Sequence, residues 1–281
     1  MKINDSVPYF LEHYEPSLQF LHQYYEKYNE MFHEYFLYHC KNTDDRLTAA
    51  IDKYPDSFAS IKEVYQKIVP IILKTVNAYE HQYNMKFPIE VNLLVGGYGS
   101  NGYTERQFIP NITFALEQLS PQQEYIEVLV AHEFGHALHN ILSEHEKIDW
   151  QLVDWQHPFT WLLQEGTAIY LSQQVTENIE EFIYFAYKEK DSSWLDYAKK
   201  NEYLLIKAFK EDINNLSTVE VFKEWFSING GKRFGMVRFG YYIGYVFLRS
   251  FIEKHGEIEA ITMWKEPHYK QIVMDWLDSF E

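Results

Sequence analysis

The chain has 281 residues, of which 46% are hydrophobic and 18% aromatic, enough apolar material for one large domain or two smaller lobes with a sizeable core. Its net charge of −16 disfavours nucleic acid and anionic membranes as partners, because both would repel it, and fits a basic or neutral substrate. The single cysteine, Cys40, excludes an intrachain disulfide and a thiolate metal cluster, and we expect it to be a small buried hydrophobic residue.

The N-terminus shows no basic region followed by an apolar core, and no segment approaches 18 uninterrupted apolar residues. We therefore expect a cytoplasmic protein that does not span a membrane.

The first part of the chain is predicted to be helical. Apolar and aromatic residues recur every three or four positions over residues 18–39, which predicts an amphipathic helix. A short helix capped by Thr43 or Asp44 is expected next. A longer helix is expected over residues 58–83, kinked or interrupted at Pro70.

The pattern changes near residue 87, so we assign residues 1–86 to an N-terminal helical lobe and 87–281 to a second domain. Residues 89–95 alternate and are followed by the glycine-rich segment 96–102, which predicts a strand and a flexible loop. A second strand is expected over residues 111–115. An open edge of this small sheet could bind an extended peptide as one more strand; the alternative is that the glycines only form a tight turn.

A helix predicted from Ser120 to about Leu142 carries the motif His132-Glu133-Phe-Gly-His136. A capping box and a proline at the first helical position specify its start. The helix is apolar nearly all round, so its polar residues would be costly to bury without a partner. Residues four apart share one face, so the two imidazoles can bind a single ion while the glutamate projects beside it. Zinc hydrolases use this arrangement, with the carboxylate taking a proton from water; the alternative is a pair of ordinary core histidines.

A catalytic zinc site usually takes three protein ligands and keeps a fourth position for water. One class of sites would need a glycine and a histidine at positions 139 and 142, but this chain has His139 and Leu142, which excludes that class. Pro158 opens a second apolar helix in which Glu165 is the sole carboxylate, and the small Gly166 should allow a close approach to the first helix. We expect Glu165 to be the third ligand; the alternative is a buried glutamate paired with a histidine or arginine.

These two segments, His132-Glu-Phe-Gly-His136 and Trp161-Leu-Leu-Gln-Glu165-Gly-Thr-Ala-Ile-Tyr170, resemble the gluzincin zinc metallopeptidases, and the resemblance covers roughly residues 89–250. It implies that His132, His136 and Glu165 bind zinc and that Glu133 is the general base.

One position departs from that family. Thermolysin-type members have an aspartate four residues after the ligand glutamate that orients a histidine, and this chain has Ile169 there. The group that orients the histidines is then expected elsewhere, at Asp154, Asp149 or a main-chain carbonyl.

The C-terminal part is predicted to be helical over residues 177–226, with aromatic residues at a spacing typical of a core, and over residues 240–256, ended by a glycine. Tyr241-Tyr-Ile-Gly244 is similar to the helix start with which the aminopeptidase branch of the gluzincins supplies a donor to the oxyanion. The resemblance implies this role for Tyr241, or else Tyr242; the alternative is an aromatic core contact. Arg233 and Arg238 could receive a substrate carboxylate or stay at the surface.

The sequence thus predicts a mainly α protein with a small β-sheet (α+β) and a zincin-like catalytic region that uses one Zn²⁺ per chain to cleave peptide or protein substrates. The chain lacks the Gly-Ala-Met-Glu-Asn segment with which those aminopeptidases hold a free amino terminus, so exopeptidase action is not supported. Two alternatives remain: a non-catalytic binding or scaffold protein whose zinc ties two helices together, and a zinc hydrolase of a non-peptide amide or ester. Glu133 argues against the scaffold, since a purely structural site needs no base.

Overall fold

The computed structural model describes residues 1–185 and 192–280. Helices dominate, and the described residues form one small mixed β-sheet, which confirms the predicted fold class. The chain divides into two compact units, Met1–Ala137 and Leu138–Glu281. The division predicted at residue 86 stays a prediction.

The first unit contains the sheet and the N-terminal helices. Its strands are β1 (Lys2–Asp5), β2 (Glu90–Leu94), β3 (Gly102–Thr104) and β4 (Ile112–Ala115). Its helices are α1 (Val7–His13), α2 (Leu18–Lys27), α3 (Asn29–Glu34), a π-helical turn (Tyr35–His39), α4 (Asp44–Ile51), α5 (Tyr54–Tyr83) and a 3-10 turn (Leu116–Gln118). Helix α6 (Gln123–His145) begins in this unit, and the division falls within it.

The sheet has the strand order β1-β2-β4-β3. The two predicted strands, β2 and β4, are present and pair in parallel, with Val91 opposite Ile112. Two strands were not predicted: β1 pairs in parallel with β2, and β3 pairs antiparallel with β4, with Tyr103 opposite Thr113. Strand β3 therefore forms one edge of the sheet that the described residues build.

The helix predicted over residues 18–39 is not continuous. It breaks at Tyr28, which ends α2 and precedes α3, and its last turn widens into the π-helical turn. Aromatic side chains have low helix propensity, so packing decides the local geometry here, and Tyr24 packs against both Phe10 and Phe32.

Of two other helices in this unit, α4 matches its sequence signal and α5 departs from its predicted start. Thr43 caps α4 as predicted, and its side chain accepts a hydrogen bond from the Arg46 main-chain N–H at 3.4 Å. Helix α5 begins at Tyr54, earlier than predicted, and continues through Pro70.

The second unit is built from helices and short turns. Its helices are α7 (Pro158–Val175), α8 (Ser193–Lys200), α9 (Glu202–Asn215), α10 (Thr218–Trp225), α11 (Phe239–His255), α12 (Glu257–Ile261) and α13 (Tyr269–Asp278). Its 3-10 turns are Trp150–Leu152, Glu181–Tyr184 and Met263–Lys265. The predicted helical segment 177–226 is broken into several pieces, and its residues 186–191 lie outside the described part of the chain.

Proline and glycine set the ends of two helices in this unit as predicted. Helix α7 begins at Pro158, and the ring of His157 accepts a hydrogen bond from the Phe159 N–H at 3.1 Å. Helix α11 ends at Gly256, which has a φ of 87°, a value that is unfavourable for residues with a side chain. Among the described residues, no helix is both long and apolar enough to cross a membrane.

Candidate metal centre

Two histidines stand one helical turn apart on α6. The Nε2 atoms of His132 and His136 lie 3.1 Å apart, and the ring planes are nearly perpendicular, at 89°. Two nitrogens bound to one tetrahedral zinc ion lie roughly 3.3 Å apart, given the usual bond lengths. The rings are therefore placed at a separation that a shared ion requires.

Glu165 of α7 completes the group. One carboxylate oxygen of Glu165 and one ring nitrogen from each of His132 and His136 all lie within 4.8 Å of one another. Two imidazole nitrogens and one carboxylate oxygen are donors that zinc accepts, and three protein ligands leave a fourth position for water or substrate. The chemistry of the donor set fits a catalytic zinc ion.

The helix that carries the histidines is fixed in the first unit. His132 is only 3% exposed, and the preceding residue, Ala131, accepts a hydrogen bond from the buried Tyr79 hydroxyl at 2.9 Å. Phe134 packs edge-on against Phe87, with ring centroids 5.3 Å apart. These contacts restrict rotation of the helix about its axis, and so they determine where its polar residues point.

Glu133 lies beside the edge strand. It is 7% exposed, and a Cβ added at Gly102 of β3 would stand 3.4 Å from its Cγ. The proposed base is thus close to a strand whose outer edge is not paired by another described strand. Such an arrangement could hold an extended peptide near Glu133.

Helix α7 is positioned by a close crossing with α11. A Cβ added at Gly166 would collide with the main chain of Gly244, and one added at Gly244 would collide with the Leu162 carbonyl. The sequence predicts that Gly166 lets its helix approach the histidine helix, but the open side of this glycine faces α11 instead. The contact between Gly166 and Gly244 therefore fixes α7 against α11, and with α7 it fixes the position of Glu165.

The predicted oxyanion donors occupy different surroundings on α11. The hydroxyl of Tyr242 donates a hydrogen bond to Glu202 Oε2 at 2.7 Å. Burial raises the pKa of this hydroxyl, and the neighbouring Glu202 carboxylate raises it further. Tyr241 is half-buried, and the Arg238 guanidinium lies 3.9 Å from the centre of its ring. Tyr242 is thus committed to Glu202, and the role implied for Tyr241 stays a prediction.

The other candidate polar residues have partners of their own. Arg233 forms ion pairs with Glu211 and Asp212 at 2.6 and 2.7 Å, an arrangement that competes with capture of a substrate carboxylate. Lys270 donates to Asp154 at 2.7 Å and lowers the pKa of that carboxyl. Asp149 accepts from the Gln151 N–H at 3.1 Å, as a cap.

Glu117 is a buried carboxylate to which the sequence alone assigned no role. Glu117 is 7% exposed and accepts hydrogen bonds from the main-chain N–H groups of Gly96 and Tyr98, at 2.8 and 3.1 Å. Burial raises its pKa to about 7, although these N–H groups oppose the shift. The available signal was a lone acidic residue in the mainly apolar segment from residue 112 to 119.

The fold is mainly helical, and its candidate donors are two histidines and a glutamate. Both features are compatible with the zinc-dependent hydrolases. Comparison with protein families gives a specific result: the model of the family described as "Putative zinc dependent peptidase (DUF5700)" matches residues 10–268. The chain belongs to this family. Comparisons with curated proteins and with solved structures found no match.

Proposed function

We propose that this protein hydrolyses peptide bonds, with one zinc ion held by His132, His136 and Glu165 and with Glu133 as general base. The observation that carries the proposal is the convergence of three donor atoms within 4.8 Å, directly beside a buried glutamate of the same helix. Membership of a zinc-dependent peptidase family supports the same activity.

A zinc ion, when bound, would polarise the scissile carbonyl and increase the acidity of a water molecule. Glu133 would remove the proton from the attacking water and pass it to the leaving amine. Burial keeps bulk water away from Glu133, which favours proton transfer between defined partners. Tyr241 is our candidate for the donor that stabilises the oxyanion of the tetrahedral intermediate.

The shape of the sheet suggests how a substrate would bind. An extended peptide could pair with β3 through main-chain hydrogen bonds, which are independent of its sequence. Because this mode does not require a free terminus, we infer cleavage within peptide chains. We also infer that the enzyme is of the gluzincin type, since the third donor is a glutamate of a second helix, and we retain a cytoplasmic location as a prediction from the sequence.

The test compares metal content with cleavage of a peptide library in three variants of the purified protein. Glu133→Gln should keep its zinc and lose about 10²–10⁴-fold in cleavage rate, because it lacks the base. Glu165→Ala should lose the metal. Glu127→Gln is the matched control: it lies on the same helix, accepts a hydrogen bond from Gln123 and should behave like the wild type.

Unchanged cleavage by Glu133→Gln would show that this glutamate is not the base. A wild-type protein that binds one zinc ion but cuts no peptide would contradict the peptidase proposal, and would favour a structural ion or a non-peptide substrate instead.

A further inference from the structure

The loop between β2 and β3 is rich in glycine, which predicts flexibility, but side chains of the first unit form hydrogen bonds with most of its residues. Its hydrogen bonds are Val95 N–H to the Tyr24 hydroxyl at 3.2 Å, Tyr54 hydroxyl to the Gly96 carbonyl at 2.5 Å, Arg46 Nε to the Gly97 carbonyl at 2.8 Å, Gln118 Nε2 to the Gly99 carbonyl at 2.8 Å, and His39 Nδ1 with the Ser100 hydroxyl at 3.0 Å. Glycine has the largest conformational entropy to lose on ordering, so this loop needs such contacts to be fixed.

Glu117 and Tyr35 bind the N–H groups of the same loop. Glu117 Oε2 accepts from Gly96, and its Oε1 accepts from Tyr98 and, at 3.4 Å, from the Tyr35 hydroxyl. The Tyr35 hydroxyl oxygen in turn accepts from the Gly99 N–H at 2.9 Å. Because both carboxylate oxygens receive an N–H, a glutamine in place of Glu117 would have to turn an NH₂ group toward a donor.

The side chains around the glycine-rich loop leave no room for a Cβ atom at two of its glycines. A Cβ added at Gly96 would collide with the Tyr35 hydroxyl, and one added at Gly99 would collide with the His39 carbonyl. The glycines therefore allow a close approach, and a displacement of Tyr35 toward the loop must displace the loop, which Glu117 holds by hydrogen bonds.

The loop leads directly into the strand beside the proposed base. The Asn101 carbonyl accepts from the Ala115 N–H at 2.8 Å, and the next residue, Gly102, faces Glu133. His39 stacks on Tyr103 of β3, with centroids 3.6 Å apart. The position of β3 thus depends on the same group of side chains that holds the loop.

We propose that Glu117, assisted by Tyr35, is a positioning residue for peptide cleavage: it fixes the loop and thereby holds β3 in place to receive an extended substrate. This inference rests on the proposed function. Glu117 acts through the loop and does not contact the substrate, so its loss should weaken substrate binding more than the chemical step.

The experiment uses the zinc-loaded chain of 281 residues with Glu117→Gln, and with Tyr35→Phe as a milder change in case the first variant does not fold. The control is Asp212→Asn, which alters another buried carboxylate that accepts from Trp225 Nε1 and pairs with Arg233. Hydrogen exchange over residues 95–104 and the kinetics of an extended peptide are measured for each variant.

We expect exchange over residues 95–104 to accelerate about tenfold in Glu117→Gln, and KM for the extended peptide to rise by a similar factor. The value of kcat and the zinc content should change little. Tyr35→Phe should shift exchange and KM in the same direction but less. The control should lose stability without either change.

Exchange at residues 102–104 that stays at the wild-type rate would overturn the positioning role, as would an equal rise of KM in the Asp212→Asn control. A wild-type protein that cleaves no peptide would instead overturn the proposed function and the substrate-binding half of this inference, while the exchange measurement would still decide whether Glu117 holds β3.

Discussion

Gly102 is the residue at which the edge strand meets the proposed base. A Cβ added there would stand 3.2 Å from the ring of Phe114 and 3.4 Å from both Leu129 and Glu133. A methyl group would be tight but possible, whereas a branched side chain would need space that the Glu133 side chain occupies. The absence of a side chain at this position therefore helps to define where Glu133 points.

Gly102→Val should consequently lower kcat by about a hundredfold, because displacement of a reacting group by about 1 Å can cost that much. Zinc content should not change, since the metal donors lie elsewhere. The control is Thr104→Val, which introduces the same side chain in the same strand. Equal kcat values for Gly102→Val and the wild type would contradict the close contact with the base.

Glu117 gives the stability a defined pH dependence. Its pKa is raised by burial from the ordinary value of 4.5 to about 7, so between these values the folded protein keeps a proton that the unfolded chain has released. The Glu117 contribution to stability therefore falls as the pH rises from 4.5 to 7, by at most about 3 kcal/mol.

Denaturant unfolding at pH 5 and pH 7.5 tests whether the free energy of unfolding falls as the pH rises. The wild type should lose more stability than Glu117→Gln over the interval, because the glutamine cannot titrate. Identical pH dependence in the two proteins would show that the carboxyl titrates normally.

The candidate metal-binding motif could be found from the sequence because its geometry is local. His132 and His136 are brought together by helix periodicity alone, and Glu165 stood out as a carboxylate in an apolar helix. Glu117 could not be assigned a role in this way, because its partners Gly96 and Tyr35 come from distant parts of the chain and only the folded structure shows that they meet.

At the level of elements, helices α7 and α11 cross with their main chains in contact. The crossing needs glycine on both sides, at Gly166 and Gly244, and it lies next to the proposed ligand Glu165 in sequence. Close packing of this kind transmits displacement, because the backbone cannot rotate away as a side chain can.

Gly244→Ala should therefore destabilise the protein by about 1–3 kcal/mol, the usual cost of overpacking, and should also weaken zinc binding by moving α7. The control is Gln174→Ala on the exposed side of α7, which should change stability by less than about 0.5 kcal/mol. Thermal unfolding and a zinc titration provide the measurements. A Gly244→Ala protein as stable as the wild type would mean that the crossing can open without cost.

Two helix starts could be predicted because their signals are local, whereas a strand with a distant partner could not. The start of α7 at Pro158 and the cap of α4 at Thr43 follow from adjacent residues. Strand β1 was missed because four residues show no clear alternation, and its partner β2 lies more than eighty positions away. Strands so far apart in the sequence are brought together only when the whole first unit packs.

At the level of the whole molecule, zinc should contribute to stability as well as to catalysis. An ion that binds only the folded protein stabilises it by mass action, by about 2.7 kcal/mol at a concentration of one hundred times Kd. Removal of the metal with EDTA should lower Tm by about 5 °C in a chain of this size, and added zinc should restore it.

Glu165→Ala provides the reference, since a chain without the third donor should respond weakly to either treatment. Calorimetry of both proteins with and without EDTA would measure the difference. A wild-type Tm that does not respond to EDTA, in a protein shown to contain zinc beforehand, would contradict this coupling.

The net charge of −16 should also affect which peptides are cleaved fastest. A negative protein attracts positively charged substrates, and salt screens that attraction. The ratio of kcat/KM for a lysine-rich peptide to that for a neutral peptide should therefore decrease as ionic strength rises. A ratio independent of salt would show that the overall charge has no part in substrate capture.

The π-helical turn at Tyr35–His39 constrains how this family can change in length. A π turn holds one residue more than an α turn, so loss of a single residue there can be taken up within the turn and need not rotate the residues on either side of it. Tyr35 and His39, at the two ends of the turn, contact the glycine-rich loop at Gly99 and Ser100. We therefore expect shorter family members to have lost one of the residues between Tyr35 and His39, and to keep the two residues that contact the loop.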